Sequence, residues 1–150
     1  PVVTPGYWKK VEETEEALTD GYFHTGDLVK KDEDGFYYVV DRKKNMFISG
    51  GENVYPAEIE KYLYTNSKIK EVAVIGVPDS KWGEVGKAFV VLMPDEKSTE
   101  EEIIHFCKGN LAKYKIPKYV QILDEIPKTD AGKINKLKLT EIHKTQTTNS

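Results

Sequence analysis

Cysteine is nearly absent from the chain, because Cys107 is the only one among its 150 residues. An internal disulfide is therefore excluded, and with it the disulfide framework of small secreted domains. The first residues also lack the charged and then apolar pattern of a signal peptide. We therefore expect a reducing, cytoplasmic setting.

Long hydrophobic runs are missing as well. Apolar stretches such as residues 88–93 fall far short of the roughly 20 residues that a membrane span requires. The content of 39% hydrophobic residues is still enough for one ordinary core. The sequence thus predicts a soluble globular chain without a membrane span, and it argues against disorder, collagen and coiled coil.

An excess of positive charge is also lacking, since 22 basic and 25 acidic side chains give a formal net charge of -3. Neutralising nucleic-acid phosphates needs a concentrated basic surface, so nucleic acid is not the expected partner. Residues 113–144 nevertheless carry eight lysines against four acids, which favours an anionic ligand there. The three histidines are scattered without metal-ligand spacing, and no metal site is expected.

Turn signals divide the first forty residues into short strands. The run Asp32-Glu33-Asp34-Gly35 predicts the turn of a hairpin between strands at residues 27–31 and 36–40. Five polar residues at 41–45 then interrupt the apolar pattern. They predict a linker or hinge.

The remainder predicts a small α+β domain. A strand at 46–49 and a glycine-containing loop at 50–53 precede a helix that begins at Pro56, where a missing N–H is harmless. Thr99 and Glu102 fit a capping box for a second helix. Further strands are expected at 71–77, 87–93 and 119–123, and a polar, frayed tail after Leu139. The order strand, helix, strand, strand, helix, strand predicts a small sheet with helices packed on one face.

Lys133 ends an exposed turn, Thr129-Asp130-Ala131-Gly132, and would present a mobile ammonium to a phosphate or carboxylate oxygen. The turn is not a Walker A loop, because it lacks the first glycine and the Ser or Thr after the lysine. A solvated surface lysine is the plainer interpretation of this turn alone.

Asp27 and Arg42 are candidate nucleotide-binding residues. Asp27, in Thr25-Gly26-Asp27, has the carboxylate that a ribose diol needs, although an Asx turn at the start of a strand is the favoured interpretation of this tripeptide alone. Arg42 is the only arginine in the chain, which indicates that planar, bidentate geometry matters there; a chance surface arginine is the alternative.

A glycine pair is the third candidate element. The run Ser49-Gly50-Gly51-Glu52-Asn53 would let the backbone approach a ligand or another domain closely. A plain strand-to-helix loop is the alternative interpretation.

Taken in order, five segments resemble successive motifs of the adenylate-forming superfamily, which comprises acyl-CoA synthetases, peptide-synthetase adenylation domains and luciferases. These segments are residues 21–28, 34–36, 40–44, 48–60 and 127–134. The resemblance runs from Tyr7 to Leu139. Asp-Arg-Lys-Lys at 41–44 and Ile-Ser-Gly-Gly-Glu-Asn at 48–53 are similar to acyl-CoA synthetases of the fatty-acid or aryl-acid type, whereas peptide-synthetase domains usually carry Gly-Arg-x-Asp-x-Gln at the first position.

The resemblance implies a division of the chain. Residues 1–40 would be the last strands of a large N-terminal adenylation domain, residues 41–139 a C-terminal lid with its hinge at Asp41, and residues 140–150 a polar tail. The chain alone is expected to be inactive. Residues 1–40 would expose surface that the large domain normally covers, which favours self-association.

The resemblance also implies a ligase reaction that forms a carbon–sulfur bond. A carboxylic acid, here expected to be a fatty acid, reacts with ATP to give acyl-AMP, and CoA then displaces AMP. Lys133 would serve adenylation, Asp27 and Arg42 would bind the nucleotide, and residues 49–53 would line the CoA channel. ATP and CoA would be bound, with Mg²⁺ held by the large domain. From their charge alone, and not from the resemblance, Lys43 and Lys44 are expected to meet the CoA phosphates.

Two other functions stay open. The chain would otherwise be a non-catalytic α+β module that binds a nucleotide or a protein, or part of an adenylation enzyme that loads a carrier protein. The acid itself is not encoded here, because its pocket would lie in the large domain.

Overall fold

The computed structural model describes residues 4–148. The chain divides into two compact units, and the division falls between Lys44 and Asn45. We call them the N-terminal unit and the C-terminal unit and describe each by itself.

The N-terminal unit consists of one short helix and two hairpins. Its elements are α1 (Val11–Ala17), β1 (Leu18–Thr19), β2 (Tyr22–Phe23), β3 (Asp27–Lys31) and β4 (Tyr37–Arg42). The β3–β4 hairpin is antiparallel and agrees with the predicted hairpin. Its second strand begins one residue later than expected, because the Phe36 backbone N–H donates to the Asp32 carboxylate over 2.8 Å and so belongs to the turn. Neither α1 nor the β1–β2 hairpin was predicted.

The polar segment at 41–45 is regular structure rather than a loose linker. Asp41 and Arg42 continue β4 and pair with Leu28 and Asp27. Residues Lys43–Asn45 then form a 3-10 turn. The expectation that polarity ends the strand at residue 40 is therefore wrong, because backbone pairing with β3 holds these residues extended.

The C-terminal unit is an α+β fold. Its elements are β5 (Phe47–Ser49), β6 (Glu52–Val54), α2 (Pro56–Leu63), β7 (Ile69–Asp79), β8 (Gly83–Leu92), α3 (Glu100–Cys107), β9 (Tyr119–Ile122) and α4 (Lys136–Thr148). The sheet order is β6-β5-β8-β7, and β9 pairs in parallel with β8. Because β7 pairs with the full length of β8 on one edge, β5 and β9 share the other edge.

Alternation along β7 and β8 builds a core on each face of this sheet. On one face Val72, Val74 and Val90 pack with α2 and α3, whose buried side chains include Ile59, Leu63, Ile103 and Cys107. On the other face Ala73, Ile75 and Phe89 pack with Ile126 and with Leu139 of α4. Helices therefore cover both faces, and the expectation of helices on one face is wrong.

Local chemistry explains where the two predicted helices begin. Pro56 opens α2 and is itself buried. The Thr99 hydroxyl accepts from Glu102 N over 3.2 Å, and the Glu102 carboxylate accepts from Thr99 N over 3.1 Å. This reciprocal pair is the predicted capping box. The helix ends at Cys107, so Leu111 lies beyond it while still packing against the core.

Two expectations about local structure are wrong. Only Gly50 and Gly51 form a turn in the predicted loop, since Glu52 and Asn53 belong to β6 and pair with Ser49 and Ile48. The expected frayed tail is helical through Thr148, and its last residues, 149–150, lie outside the described part. Leu139 and Ile142, three residues apart on α4, pack against the sheet and hold the helix there.

Candidate functional site

Lys133 stands at the end of an anchored turn. Thr129 N donates to Lys133 O over 2.7 Å, Gly132 N donates to Thr129 O over 2.8 Å, and Lys128 bridges to Ile134. The two lysines that flank the turn are engaged in ion pairs, Lys128 with Glu71 at 3.0 Å and Lys136 with Glu60 at 2.7 Å.

The Lys133 ammonium is exposed and has no hydrogen-bond or ion-pair partner within residues 4–148. The ion pairs of Lys128 and Lys136 fix the turn, and neither of them uses the charge of Lys133. This arrangement fits a cation that is presented to an anion outside the unit.

The glycine pair forms the tight turn of the β5–β6 hairpin. Gly50 has φ of 59° and Gly51 has φ of 89°, the left-handed conformation that a two-residue hairpin turn requires. The indole of Trp82 packs over Gly50, so a Cβ placed there would lie 2.8 Å from Trp82 Cε3. Apart from Gly51 itself and its two chain neighbours, no described residue has an atom within 4 Å of a Cβ built on Gly51. The pair thus presents bare backbone beside one aromatic ring.

The segment between β7 and β8 holds this glycine turn in place. Gly50 N donates to Trp82 O over 2.9 Å, and Ser49 pairs with Gly83. Ile48 N donates to the Glu84 carboxylate over 3.1 Å. Ser49 is buried with 4% exposure. The glycine turn and Trp82 therefore form one structural element, although they lie far apart in sequence.

The glycine turn and the Lys133 turn are attached at opposite ends of the β7–β8 hairpin. Ser49 joins the hairpin at Gly83, opposite Asp79, whereas Lys128 joins it at Glu71, which pairs with Val91. The eight residue steps of strand between Glu71 and Asp79 span about 26 Å. The structure does not bring these two predicted site elements together.

Asp27 and Arg42 do lie together in the N-terminal unit. Arg42 Nε is 2.8 Å from Asp27 Oδ1, and Arg42 Nη1 donates to Thr25 O over 3.0 Å. The two residues are also cross-strand partners of β3 and β4. Asp27 and Thr25 line a groove of about 730 Å³ in this unit. A ribose-sized group could reach the carboxylate from this groove.

Asp41, the predicted hinge, is buried with 7% exposure. Its Oδ1 accepts from Arg42 N over 2.7 Å. Lys43 and Lys44 are exposed, and Lys43 N donates to Gly26 O over 2.8 Å.

A larger cleft, of about 970 Å³, lies between the sheet and α4 and is lined by none of the predicted site residues. Lys87 is buried there at 8% exposure and donates to Gln146 Oε1 over 3.2 Å. Burial lowers the pKa of Lys87, while nearby Glu100 opposes that change. Burial and the Lys87 charge lower the pKa of His143.

Within the described residues, no group of three or more His, Cys, Asp or Glu side chains could hold a metal ion. None of the helices in residues 4–148 combines the length and apolar character that a membrane crossing needs.

The C-terminal unit is thus an α+β fold, with the Lys133 turn and the glycine turn attached at opposite ends of its β7–β8 hairpin. The model of the AMP-binding enzyme C-terminal domain matches residues 58–133. The chain belongs to this family. Its relatives in sequence are acyl-CoA and aryl-CoA ligases of the adenylate-forming superfamily.

The curated proteins that are similar in sequence are named CoA synthases or CoA ligases. The chain is 50% identical over 136 residues to a feruloyl-CoA synthase of Amycolatopsis, covering 91% of this chain and 28% of that protein. It is 49% identical over 141 residues to a long-chain-fatty-acid–CoA ligase of Bacillus subtilis, covering 94% and 25%. A 2-succinylbenzoate–CoA ligase of Listeria monocytogenes is 49% identical over 143 residues, covering 95% and 30%. The chain thus spans less than a third of the length of these relatives.

Two solved structures are similar in fold over most of this chain. The ATP-bound MatB of Rhodopseudomonas palustris matches with a TM-score of 0.85 and 40% identity, covering 93% of this chain and 28% of that one. The o-succinylbenzoate CoA synthetase of Bacillus subtilis, in complex with its acyl-adenylate, matches with a TM-score of 0.83 and 38% identity, covering 90% and 28%.

Proposed function

We propose that this chain is the C-terminal part of an acyl-CoA synthetase, which activates a carboxylic acid with ATP and transfers the acyl group to CoA. The observation that carries the proposal is the Lys133 ammonium, which has no partner among the described residues and lies on a turn whose two flanking lysines are fixed by Glu71 and Glu60. The ligase names of the relatives support it.

In the first step, the carboxylate oxygen of the acid attacks the α-phosphorus of ATP, and pyrophosphate leaves. Both reactants are anions, so a cation between them lowers their repulsion and stabilises the charge that develops. Lys133 would supply that cation. Asp27 would accept hydrogen bonds from the ribose hydroxyls, and Arg42 would contact ribose and phosphate oxygens.

In the second step, the CoA sulfur attacks the acyl carbon and AMP leaves. The bare backbone of Gly50 and Gly51 would leave room for the thiol-bearing arm of CoA. Their attachment at the end of the hairpin opposite to the anchor of the Lys133 turn supports alternation, because the two attachment points lie about 26 Å apart along β7 and the two turns would therefore serve one reaction centre at different times. A rotation about a hinge at Asp41 would bring first the Lys133 turn and then the glycine turn to the reaction centre.

A large N-terminal adenylation domain would be the partner of this lid, with residues 1–40 as its last strands. Mg²⁺ would be bound by that domain. The exposed apolar side chains of the N-terminal unit support such a partner; they include Trp8, Tyr22, Phe36 and Tyr37. In the chain alone they favour self-association.

The proposed substrate is a fatty acid and the proposed setting is cytoplasmic fatty-acid metabolism, supported by the relative named long-chain-fatty-acid–CoA ligase. Aryl acids and succinylbenzoate appear in the names of other relatives at similar identity. Assay of the full-length protein with a panel of fatty, cinnamic and succinylbenzoic acids would decide between them. Free CoA and an acyl-carrier protein should be compared as acceptors in the same assay.

Substitution of Lys133 tests the core of the proposal. In the full-length protein, Lys133→Ala should slow acyl-AMP formation by a factor of at least about 100. Thioester formation from supplied acyl-AMP should change less than threefold. Lys138→Ala removes an exposed lysine of α4 and serves as the matched control. Equal loss of both steps, or of neither, would favour a non-catalytic module.

A further inference from the structure

Asp79, at the end of β7, has a buried carboxylate that no part of the mechanism above uses. Its side chain is only 3% exposed. Oδ1 accepts from the backbone N–H groups of Lys81 and Trp82 over 2.9 and 3.0 Å. Oδ2 accepts from the Lys118 ammonium over 2.5 Å. One carboxylate therefore closes the turn between β7 and β8 and ties it to the residue before β9.

This turn is the support of the glycine pair. Trp82, whose N–H is held by Asp79, accepts the Gly50 N–H with its own carbonyl over 2.9 Å. Its indole covers Gly50. A continuous series of contacts thus runs from Lys118 through Asp79 and Trp82 to Gly50.

The contacts of Asp79 require an ionised acceptor. The Lys118 ammonium, followed by the N–H groups of Lys81 and Trp82, holds the pKa of Asp79 below its ordinary value. A side chain that cannot accept at this position would leave two backbone donors of the turn without their partner. Lys118 is 48% exposed, so its ammonium can turn to water when the pair is broken.

We propose that Asp79 is a positioning residue for thioester formation: by fixing Trp82 against Gly50 it sets the shape of the glycine turn. The inference rests on the proposed function of that turn. Asp79 is not assigned any contact with CoA or with the reacting atoms.

Because of the position of Asp79, loss of its contacts should affect the CoA step and spare the adenylation step. The Lys133 turn is anchored by Glu71 and Glu60, which lie away from the Asp79 end of the hairpin. Loss of the Asp79 contacts should loosen Trp82 and Gly50 and leave the Lys133 turn in place.

Amide hydrogen exchange on the 150-residue chain tests the positioning directly. In Asp79→Ala, which removes the acceptor of both N–H groups, exchange of the Gly50 N–H should accelerate about tenfold or more. The N–H groups of Val72 and Val74, which donate to Tyr64 Oη and to the Glu60 carboxylate, should keep their rates. Asp124→Ala, on an exposed bend, is the matched control and should change none of them. Unchanged exchange at Gly50 in Asp79→Ala would overturn the proposal.

The catalytic arm uses the full-length protein and measures the two steps separately. Asp79→Ala should lower kcat/KM for CoA with supplied acyl-AMP about tenfold, with acyl-AMP formation within twofold of wild type. Lys118→Met, which breaks the ion pair from its exposed side and keeps the two backbone N–H bonds, should give a smaller loss, and the double substitution should be no worse than Asp79→Ala alone.

Equal loss of both steps, or an undiminished CoA step in Asp79→Ala, overturns the proposal. If Asp79→Ala does not fold, Lys118→Met decides by the same two measurements. A wild-type protein that forms neither acyl-AMP nor acyl-CoA overturns the proposed function, and this failure is distinguishable because the Gly50 exchange result does not depend on activity.

Discussion

Arg42 Nε lies 2.8 Å from Asp27 Oδ1, so the two residues assigned to the nucleotide are already paired with each other. The guanidinium also holds Thr25 O, which precedes Asp27 by two residues. One planar group thus fixes the carboxylate and the loop that carries it. Arg42 is therefore expected to act on nucleotide binding in two ways, by contact and by orienting Asp27.

Arg42→Lys should weaken the adenylation step although it keeps the charge. An ammonium cannot hold Asp27 Oδ1 and Thr25 O in the fork geometry of a guanidinium. We expect kcat/KM for ATP to fall about tenfold in the full-length protein. Lys30→Ala, an exposed substitution on the same hairpin, is the control. A wild-type value for Arg42→Lys would show that the pair is only a surface contact.

Gly50→Ala should impair the CoA step much more than Gly51→Ala. Both positions have positive φ, so each alanine is strained by about 1 kcal/mol. Only at Gly50 does the new Cβ meet the Trp82 ring, at 2.8 Å. Gly51→Ala is thus the control for backbone strain. Steady-state assays with CoA as the varied substrate measure the difference, and equal effects at both positions would contradict the role of the Trp82 contact.

Thr99→Ala should destabilise the C-terminal unit by about 1 kcal/mol, because it removes half of a capping box. The free energy of unfolding, measured with urea, reports the loss. Thr145→Ala, on the exposed face of α4, removes a hydroxyl that bonds only within its helix and should change stability by less than about 0.5 kcal/mol. A Thr99→Ala protein as stable as wild type would show that solvent replaces the cap.

Elements specified by neighbouring residues were predictable, and those that depend on distant partners were not. Pro56 and the Thr99 capping box mark helix starts by local chemistry. By contrast, α4 is polar along most of its length and is held by Leu139 and Ile142 against the sheet. The three residues of β6 become a strand only through pairing with β5.

The candidate site likewise has residues that the sequence predicts and contacts that only the tertiary structure determines. The motifs pointed to Asp27, Arg42, Lys133 and the glycine pair one by one. The pairing of Asp27 with Arg42 arises from the register of β3 and β4. The cover that Trp82 provides for Gly50 arises from a contact between residues that are 32 positions apart, and Asp79 carried no motif at all. Such relationships depend on tertiary structure, which periodicity along the chain does not encode.

Cys107 should be inert in the folded chain. It is fully buried, and burial raises the pKa of its thiol from 9.0 to about 11. The thiolate is the reactive form, so at pH 8 the raised pKa alone should slow labelling by a disulfide reagent roughly 100-fold. Labelling in urea, where the thiol has its ordinary pKa, is the comparison. Rapid labelling of the native chain would contradict this placement.

The same burial predicts a pH dependence of stability. The folded state keeps the Cys107 proton up to about pH 11, whereas the unfolded state releases it near pH 9.0. Its contribution is therefore fully present below pH 9 and is lost as the pH rises towards 11. Urea unfolding at pH 8 and pH 10, compared with Cys107→Ala, isolates this group from the lysines and tyrosines that titrate in the same range. The wild-type chain should lose more stability than the variant between these two pH values, because only the wild type has a buried thiol to ionise.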